Sequence, residues 1–382
     1  MKKLQEYIER PASTITGKKN LEALYTFHDF PVFMGCTDQP IENDILADMN
    51  WAIDPETGLI QLTKLVPMEI LYMDQHMDAT GATWAAYNSA LAKFIVDNKI
   101  GNILEIGGGS GKLAYNILEL DNTLTYTVVE PNPTFEEIER LKIIHAFFSK
   151  GMELEESIKT IVLSQVLEHV YDPISFLTEV NESLPIGGRF VFGYPNLEFL
   201  FSNYYTNAIN LEHTMLMTEY FVDYFLERTG FKILSKIDYD NHSHFYSVEK
   251  NHIPLNDENL KIESRYEHYK EMFNGYISYH KGMVQILNRE ILETTSDVFL
   301  FGAHIFSQYL FSFGLDTSNI KYILDNSPMK QEKRLYGSTL MVKSPKVLAG
   351  IDKPLIILKA GLYNEEIKKD ILENINSTAI FI

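Results

Sequence analysis

The chain has 382 residues, 45% hydrophobic and 22% charged, which is the balance of a folded globular protein and not of a disordered one. Its 52 acidic side chains against 33 basic ones leave a formal net charge of -19 with no cluster of lysine and arginine. That charge repels phosphate backbones and anionic lipid, so it excludes nucleic-acid polymers and membranes as partners and points to a small-molecule substrate.

At this length two or three domains are expected. One cysteine, Cys36, rules out an intrachain disulfide and a cysteine-only zinc site. The opening MKKLQEYIERPAST lacks the apolar core of a signal peptide, and no apolar run is long enough to cross a bilayer, so a cytoplasmic location is the expectation. Nothing in the sequence sets the oligomeric state.

Residues 1–85 do not read as a parallel α/β unit. Short apolar pieces alternate with turn residues, as in DFPVFMGCTDQP and WAIDPETGLIQLTKL, where Asp54, Pro55, Glu56, Thr57 and Gly58 predict a turn between two strands. Over residues 86–245 the pattern becomes repetitive α/β. NILEI, TYTVVE, TIVLSQV and RFVFGYP read as strands; AAYNSALAKFIVDN, TFEEIERLKIIHAFF and ISFLTEVNESL read as helices. Such alternation predicts a mainly parallel, doubly wound sheet with its site at the carboxyl ends of the strands. Residues 246–295 read as a helical connector, because EHYKEMFNGYISYHKGMVQILNREIL carries apolar positions at helical spacing. Residues 296–382 begin a second α/β unit, with DVFLF, KYILDN and PLIILKAG as strands and NEEIKKDILENI as a helix.

The stretch NILEIGGGSGKL, Asn102 to Leu113, combines an apolar strand, a glycine cluster and a helix start, so backbone amides there can approach an extended ligand closely. A dinucleotide fingerprint begun at Gly107 needs a glycine at the position that Lys112 holds. The glycines fall instead as G-x-G-x-G, at Gly107, Gly109 and Gly111, behind Glu105 in the strand. Glu130 closes the next strand, TYTVV. Further on, SQVLEHVYDP places Glu168 and His169, both able to exchange protons, at the end of a strand. Glu212 and His213 follow in NLEHTMLMT; a histidine ordinarily titrates near neutrality, so His213 suits general-base work beside an orienting carboxylate.

The glycine spacing with its following acid resembles motif I of class I S-adenosylmethionine-dependent methyltransferases. With the E-H pair and the C-terminal segments FGA, ILDN, LYGS and KAGLYNEEI, the order of the whole chain resembles the three-domain sugar C-methyltransferases that act on nucleotide-linked deoxy-ketosugars. The resemblance implies an α/β protein with a central Rossmann-like methyltransferase domain, a small N-terminal module and a C-terminal Rossmann-like domain. It implies S-adenosylmethionine as cofactor, contacted by Glu105, Gly107, Gly109, Gly111, Glu130, Pro131 and Gln165. His213 corresponds to the family's base, Glu212 to a substrate-binding acid, and His169 to a further active-site histidine. The expected reaction is C-methylation of a nucleotide-linked sugar beside a keto group.

The chain also departs from that family. Where the family's first domain carries paired C-x-x-C zinc ligands, the second pair is replaced by Asp54 and Thr57, so no zinc and no other metal is expected. Asn210 stands where a tyrosine usually precedes the E-H pair, and the family's tyrosine-rich segment is weakened to YMDQHMDATGATW. His76, Asn196 and Asn210 are therefore the expected substrate-binding residues. These changes leave sugar O-methylation and a non-catalytic cofactor-binding protein as alternatives; Lys112 disfavours a dehydrogenase.

Overall fold

The computed structural model describes residues 1–71, 82–149, 151–152, 154–251 and 260–382. The chain forms two compact units. One comprises Met1–Met77, Leu200–Glu212 and Arg265–Ile382, the other Asp78–Phe199 and His213–Ser264.

In the first unit, β1 (Glu22–Pro31), β2 (Ile45–Ile53) and β3 (Ile60–Leu62) form an antiparallel sheet, with the turn 54–58 between β2 and β3. The buried Asp54 carboxylate holds that turn. Its Oδ2 accepts hydrogen bonds from the hydroxyls of Ser13 at 2.5 Å, Thr57 at 3.0 Å and Thr16 at 3.3 Å, and its Oδ1 accepts from the Glu56 amide at 2.9 Å. Ser13 and Thr16 repeat the three-residue offset of Asp54 and Thr57, so two pairs with the spacing of a metal knuckle meet at one oxygen. The four side chains supply only hydroxyl and carboxylate oxygen and satisfy one another. They do not fit tetrahedral structural zinc, which takes thiolate and imidazole. Cys36 lies apart from them, with its thiol toward the Ala303 carbonyl.

The second unit opens with helix α1 (Ala82–Asn98). It continues through β4 (Asn102–Ile106), α2 (Lys112–Leu120), β5 (Tyr126–Val129), β6 (Leu141–Ile144) and β7 (Ile158–Ser164). Then come α3 (Pro173–Ser183), β8 (Arg189–Pro195), α4 (Leu197–Ser202), whose residues from Leu200 on count with the first unit, α5 (Glu219–Arg228), β9 (Phe231–Tyr239) and β10 (Ser243–Lys250). The strands make one sheet in the order β6-β5-β4-β7-β8-β10-β9, with every pairing from β6 to β8 parallel and β10 antiparallel to both its neighbours. From β4 the chain winds outward through β5 and β6, then returns to β7 on β4's other side. The order reverses there, and in open parallel sheets that reversal leaves a crevice at the strands' carboxyl ends where ligands bind. Tyr87, Leu113, Ile117, Tyr126, Val162 and Phe245 belong to one buried core of this unit, which α1, α2 and six of the strands share.

One sequence expectation fails here. TFEEIERLKIIHAFF is not a helix: Leu141–Ile144 is β6, an edge strand parallel to β5. The run LKII suits a half-buried strand, and Arg140 ahead of it is spent pinning the preceding helix. Its guanidinium donates to the carbonyls of Leu118, Asp121 and Leu124 around the carboxyl end of α2.

The remainder of the first unit contains helix α6 (Tyr266–Glu293), then β11 (Val298–Phe301), α7 (Ile305–Ser312), β12 (Ile320–Leu324), β13 (Val342–Lys343), β14 (Leu355–Leu358), α8 (Asn364–Asn374) and β15 (Ile380–Phe381). The strands pair in parallel in the order β13-β12-β11-β14-β15. Side chains alternate across such a sheet. Leu300 and Ile357 accordingly join Val284, Leu287 and Ile291 of α6 in one core, while Phe299, Phe301 and Leu358 join Ile371 of α8 in another. Residues 200–212 dock onto this unit through Phe201 stacked on Tyr276 at 4.4 Å and Tyr204 on Tyr279 at 4.2 Å. Buried Asp44 receives both terminal nitrogens of Arg334 at 2.6 Å and the Gly337 amide at 2.8 Å, tying the N-terminal sheet region to the last α/β part.

Candidate active site

The glycine loop leaves β4 with Gly107, Gly109 and Gly111 all at positive φ, 79°, 51° and 74°, a region that side-chain-bearing residues rarely adopt. The reasons for glycine differ along the loop. A Cβ on Gly107 would come within 2.8 Å of a Val166 methyl, and one on Gly111 within 2.7 Å of the Phe135 ring. A Cβ on Gly109 would meet nothing within 4 Å, so the space above this exposed residue is open to a ligand.

Glu130, at the end of β5, sits against that loop. Its Oε2 accepts from the Gly109 amide at 3.1 Å and its Oε1 from the Asn132 amide at 2.9 Å, which fixes the carboxylate at the sheet edge. Pro131 follows it, half-buried. Glu105 is placed differently. It is buried in β4 beneath the loop, where the Tyr126 hydroxyl donates to its Oε2 at 3.0 Å. Burial pushes this carboxyl up to about 7, with the tyrosine hydrogen bond opposing the rise. Glu105 therefore supports the loop from below and does not share the open face of Gly109.

Gln165 follows β7 with φ at 54°, a strained conformation for a residue with a side chain. Its amide nitrogen donates to the Tyr87 hydroxyl at 2.9 Å and to Ser243 Oγ at 3.2 Å, and its backbone N–H donates to the Gly193 carbonyl at 2.9 Å. The strain is thus held by partners on α1, β8 and β10. Tyr87 and Ser243 are participants that the sequence reading misses; they lie 78 residues from Gln165 on either side, and no local pattern joins them.

Val166, which packs against Gly107, leads into a single 3₁₀ turn at Leu167–His169. That turn brings Glu168 and His169 to the carboxyl end of β7, and His213 meets them there. The imidazoles of His169 and His213 stand edge to face with centroids 4.9 Å apart. Glu168 is 2% exposed while both histidines are half-buried, so the group has a covered side and an open one. One ligand-capable atom from each of the three lies within 4.8 Å of the others.

The remaining expected residues are placed as follows. Asn196 is buried, with its amide nitrogen on Asp238 Oδ2 at 3.0 Å and its side-chain oxygen accepting from the Phe199 amide at 3.0 Å at the start of α4. Its polar groups are taken up within the fold. Glu212 and Asn210 belong to the 200–212 segment, where both are buried and the Glu212 amide donates to Asn210 Oδ1 at 2.7 Å. His76 lies outside the described residues.

Residues 76–236 match a family model described as a methyltransferase domain. No curated protein matches the chain. Among solved structures, an S-adenosylmethionine-dependent methyltransferase from Aquifex aeolicus is 12% identical with a TM-score of 0.36, over 49% of this chain and 100% of that one. Another, from Mesorhizobium loti, is 14% identical with a TM-score of 0.35, over 42% of this chain and 95% of that one. Among the described residues no helix is long and apolar enough to cross a membrane.

Proposed function

We propose that this chain, an S-adenosylmethionine-dependent methyltransferase, methylates a nucleotide-linked sugar at the carbon beside a keto group, with His213 as general base. The cofactor's place is the crevice where the strand order reverses. There the open face of Gly109 would lie along the methionine and ribose portion, and the Glu130 carboxylate would accept the ribose hydroxyls. S-adenosylmethionine, when bound, supplies a methyl carbon activated by its attachment to a sulfonium.

The observation that carries the reading is the meeting of His169 and His213 at the turn that follows Val166, the residue lying against Gly107 of the glycine loop. Making a carbon nucleophile next to a carbonyl needs a base for the proton and a donor for the oxygen on which charge develops. Two imidazoles at this separation supply both roles. His213 takes the α-proton, the C–H electron pair passes into the enolate, and an N–H of His169 donates to the enolate oxygen. Glu212 is assigned to the substrate, as the preceding acid is in the family that the sequence resembles.

The test uses a panel of nucleotide-linked ketosugars in deuterated water without cofactor. Wild-type protein is expected to exchange the α-hydrogen, and His213→Ala to lose that exchange while keeping its affinity for S-adenosylmethionine. With cofactor, tandem mass spectrometry should place the new methyl on carbon. No exchange together with a methyl on oxygen would replace this reading by O-methylation, in which His213 deprotonates a hydroxyl.

A further inference from the structure

We infer that Glu168, His169 and His213 form a binding site for one divalent transition metal ion, zinc above all, and that the ion, once bound, switches the base off. The regulatory half of this inference rests on the function proposed above; the site itself does not. The absence of paired thiolates in the N-terminal module says nothing about this donor set, which contains no sulfur.

The geometry is close to what such an ion needs. Three donor atoms no more than 4.8 Å apart share a point within about 2.8 Å of each, so an inward movement of roughly 0.7 Å per side chain reaches the 2.0–2.2 Å of zinc–nitrogen and zinc–carboxylate bonds. Such a movement lies within the rotamer freedom of two half-buried imidazoles. Two histidines, one carboxylate and an open fourth position are also the donor set of open zinc sites. Imidazole ligands select against magnesium and calcium, which prefer all-oxygen shells, and favour cobalt, nickel, copper and zinc. The carboxylate is the buried member of the trio, so the charge opposite the cation is shielded from solvent on its far side. The chain's net charge of -19 raises the local concentration of any cation.

The consequence follows from the lone pairs. A histidine nitrogen bound to a metal has no lone pair left for an α-proton, and the opposite nitrogen of the ring carries a hydrogen. Coordination of His213 therefore removes the base, and coordination of His169 limits its use as donor.

The experiment uses full-length protein stripped with a chelator and dialysed. Titration with Co²⁺, followed by its visible absorption, and with Zn²⁺, followed by calorimetry, is expected to show one equivalent bound. Glu168→Gln and His213→Asn should each weaken that binding by about 10–100-fold or more, since even outer-shell partners of a metal site are worth that much. His28→Ala, at an exposed histidine elsewhere, should leave it unchanged. Melting curves run in parallel identify any variant that has not folded, and His169→Asn then serves in its place. Zinc should suppress substrate deuterium exchange, and chelator should restore it. No saturable binding, or binding indifferent to these substitutions, overturns the site. Binding at the trio with exchange unaffected by zinc overturns the switch. If exchange is never observed, the keto-sugar reading fails while the Co²⁺ titration still decides the metal site.

Discussion

Gly109→Ala is the sharpest perturbation available, because the glycine loop separates fold from ligand residue by residue. At Gly109 the added Cβ meets no protein atom within 4 Å, so the only cost to the empty protein is holding alanine at φ 51°. That is about 1–2 kcal/mol. At Gly107 the same strain is joined by a contact of 2.8 Å to Val166, and at Gly111 by one of 2.7 Å to Phe135. Overpacking of that kind adds about 1–3 kcal/mol. Urea denaturation should therefore rank Gly109→Ala as the mildest of the three. Calorimetry with S-adenosylmethionine should rank it differently: a methyl group in the space assigned to the cofactor should weaken binding tenfold or more, about 1.4 kcal/mol. The thermal shift that cofactor gives wild-type protein should shrink accordingly. A Gly109→Ala protein that folds normally and binds S-adenosylmethionine with wild-type affinity would refute the assignment of this loop to the cofactor.

Two further outcomes test the scaffold. Arg334→Met strands the buried Asp44 carboxylate without its bidentate partner, and should cost about 3–5 kcal/mol in urea denaturation. The double variant Arg334→Met with Asp44→Leu should recover part of that loss. Glu105 gives a pH signature. Its carboxyl rises from the ordinary 4.5 to about 7 on folding, so the folded state holds a proton that the unfolded chain has released over that interval. Its contribution to stability is present in full below pH 4.5 and is lost as the pH rises through 7, a change of about 3 kcal/mol. Glu105→Gln should remove that dependence and be the more stable protein at pH 8; an unchanged slope of stability between pH 4.5 and 8 would count against it.

The elements legible in the sequence are those in which local chemistry and tertiary environment agree. NILEI followed by glycines can hardly be other than a buried strand entering a tight turn, and the acid after TYTVV is placed by the length of one β-α-β crossover. The strands DVFLF and PLIILKAG declare themselves by continuous apolar runs, as strands covered on both faces do. TFEEIERLKIIHAFF misleads because its glutamates favour helix locally. The edge of the sheet and the bonds of Arg140 to α2 favour a strand instead, and neither is visible within the segment. The amides of Gln165 and Asn196 look available in the sequence, but partners at Tyr87, Ser243 and Asp238 claim them across 42 to 78 residues. The meeting of His169 with His213 is likewise a product of the fold, since the two lie on separate returns of the chain to the sheet.

The turn held by Asp54 has a bearing on where this protein can work. A knuckle built on thiolates folds only when zinc is available and opens when oxidants attack its sulfurs. Three alcohols gathered on one carboxylate oxygen have no such vulnerability: they need no ion from the cell's supply and have no oxidation ladder to climb. The module that carries β2 and β3 can therefore form under zinc starvation and persist under peroxide, conditions in which a cysteine knuckle would release its metal.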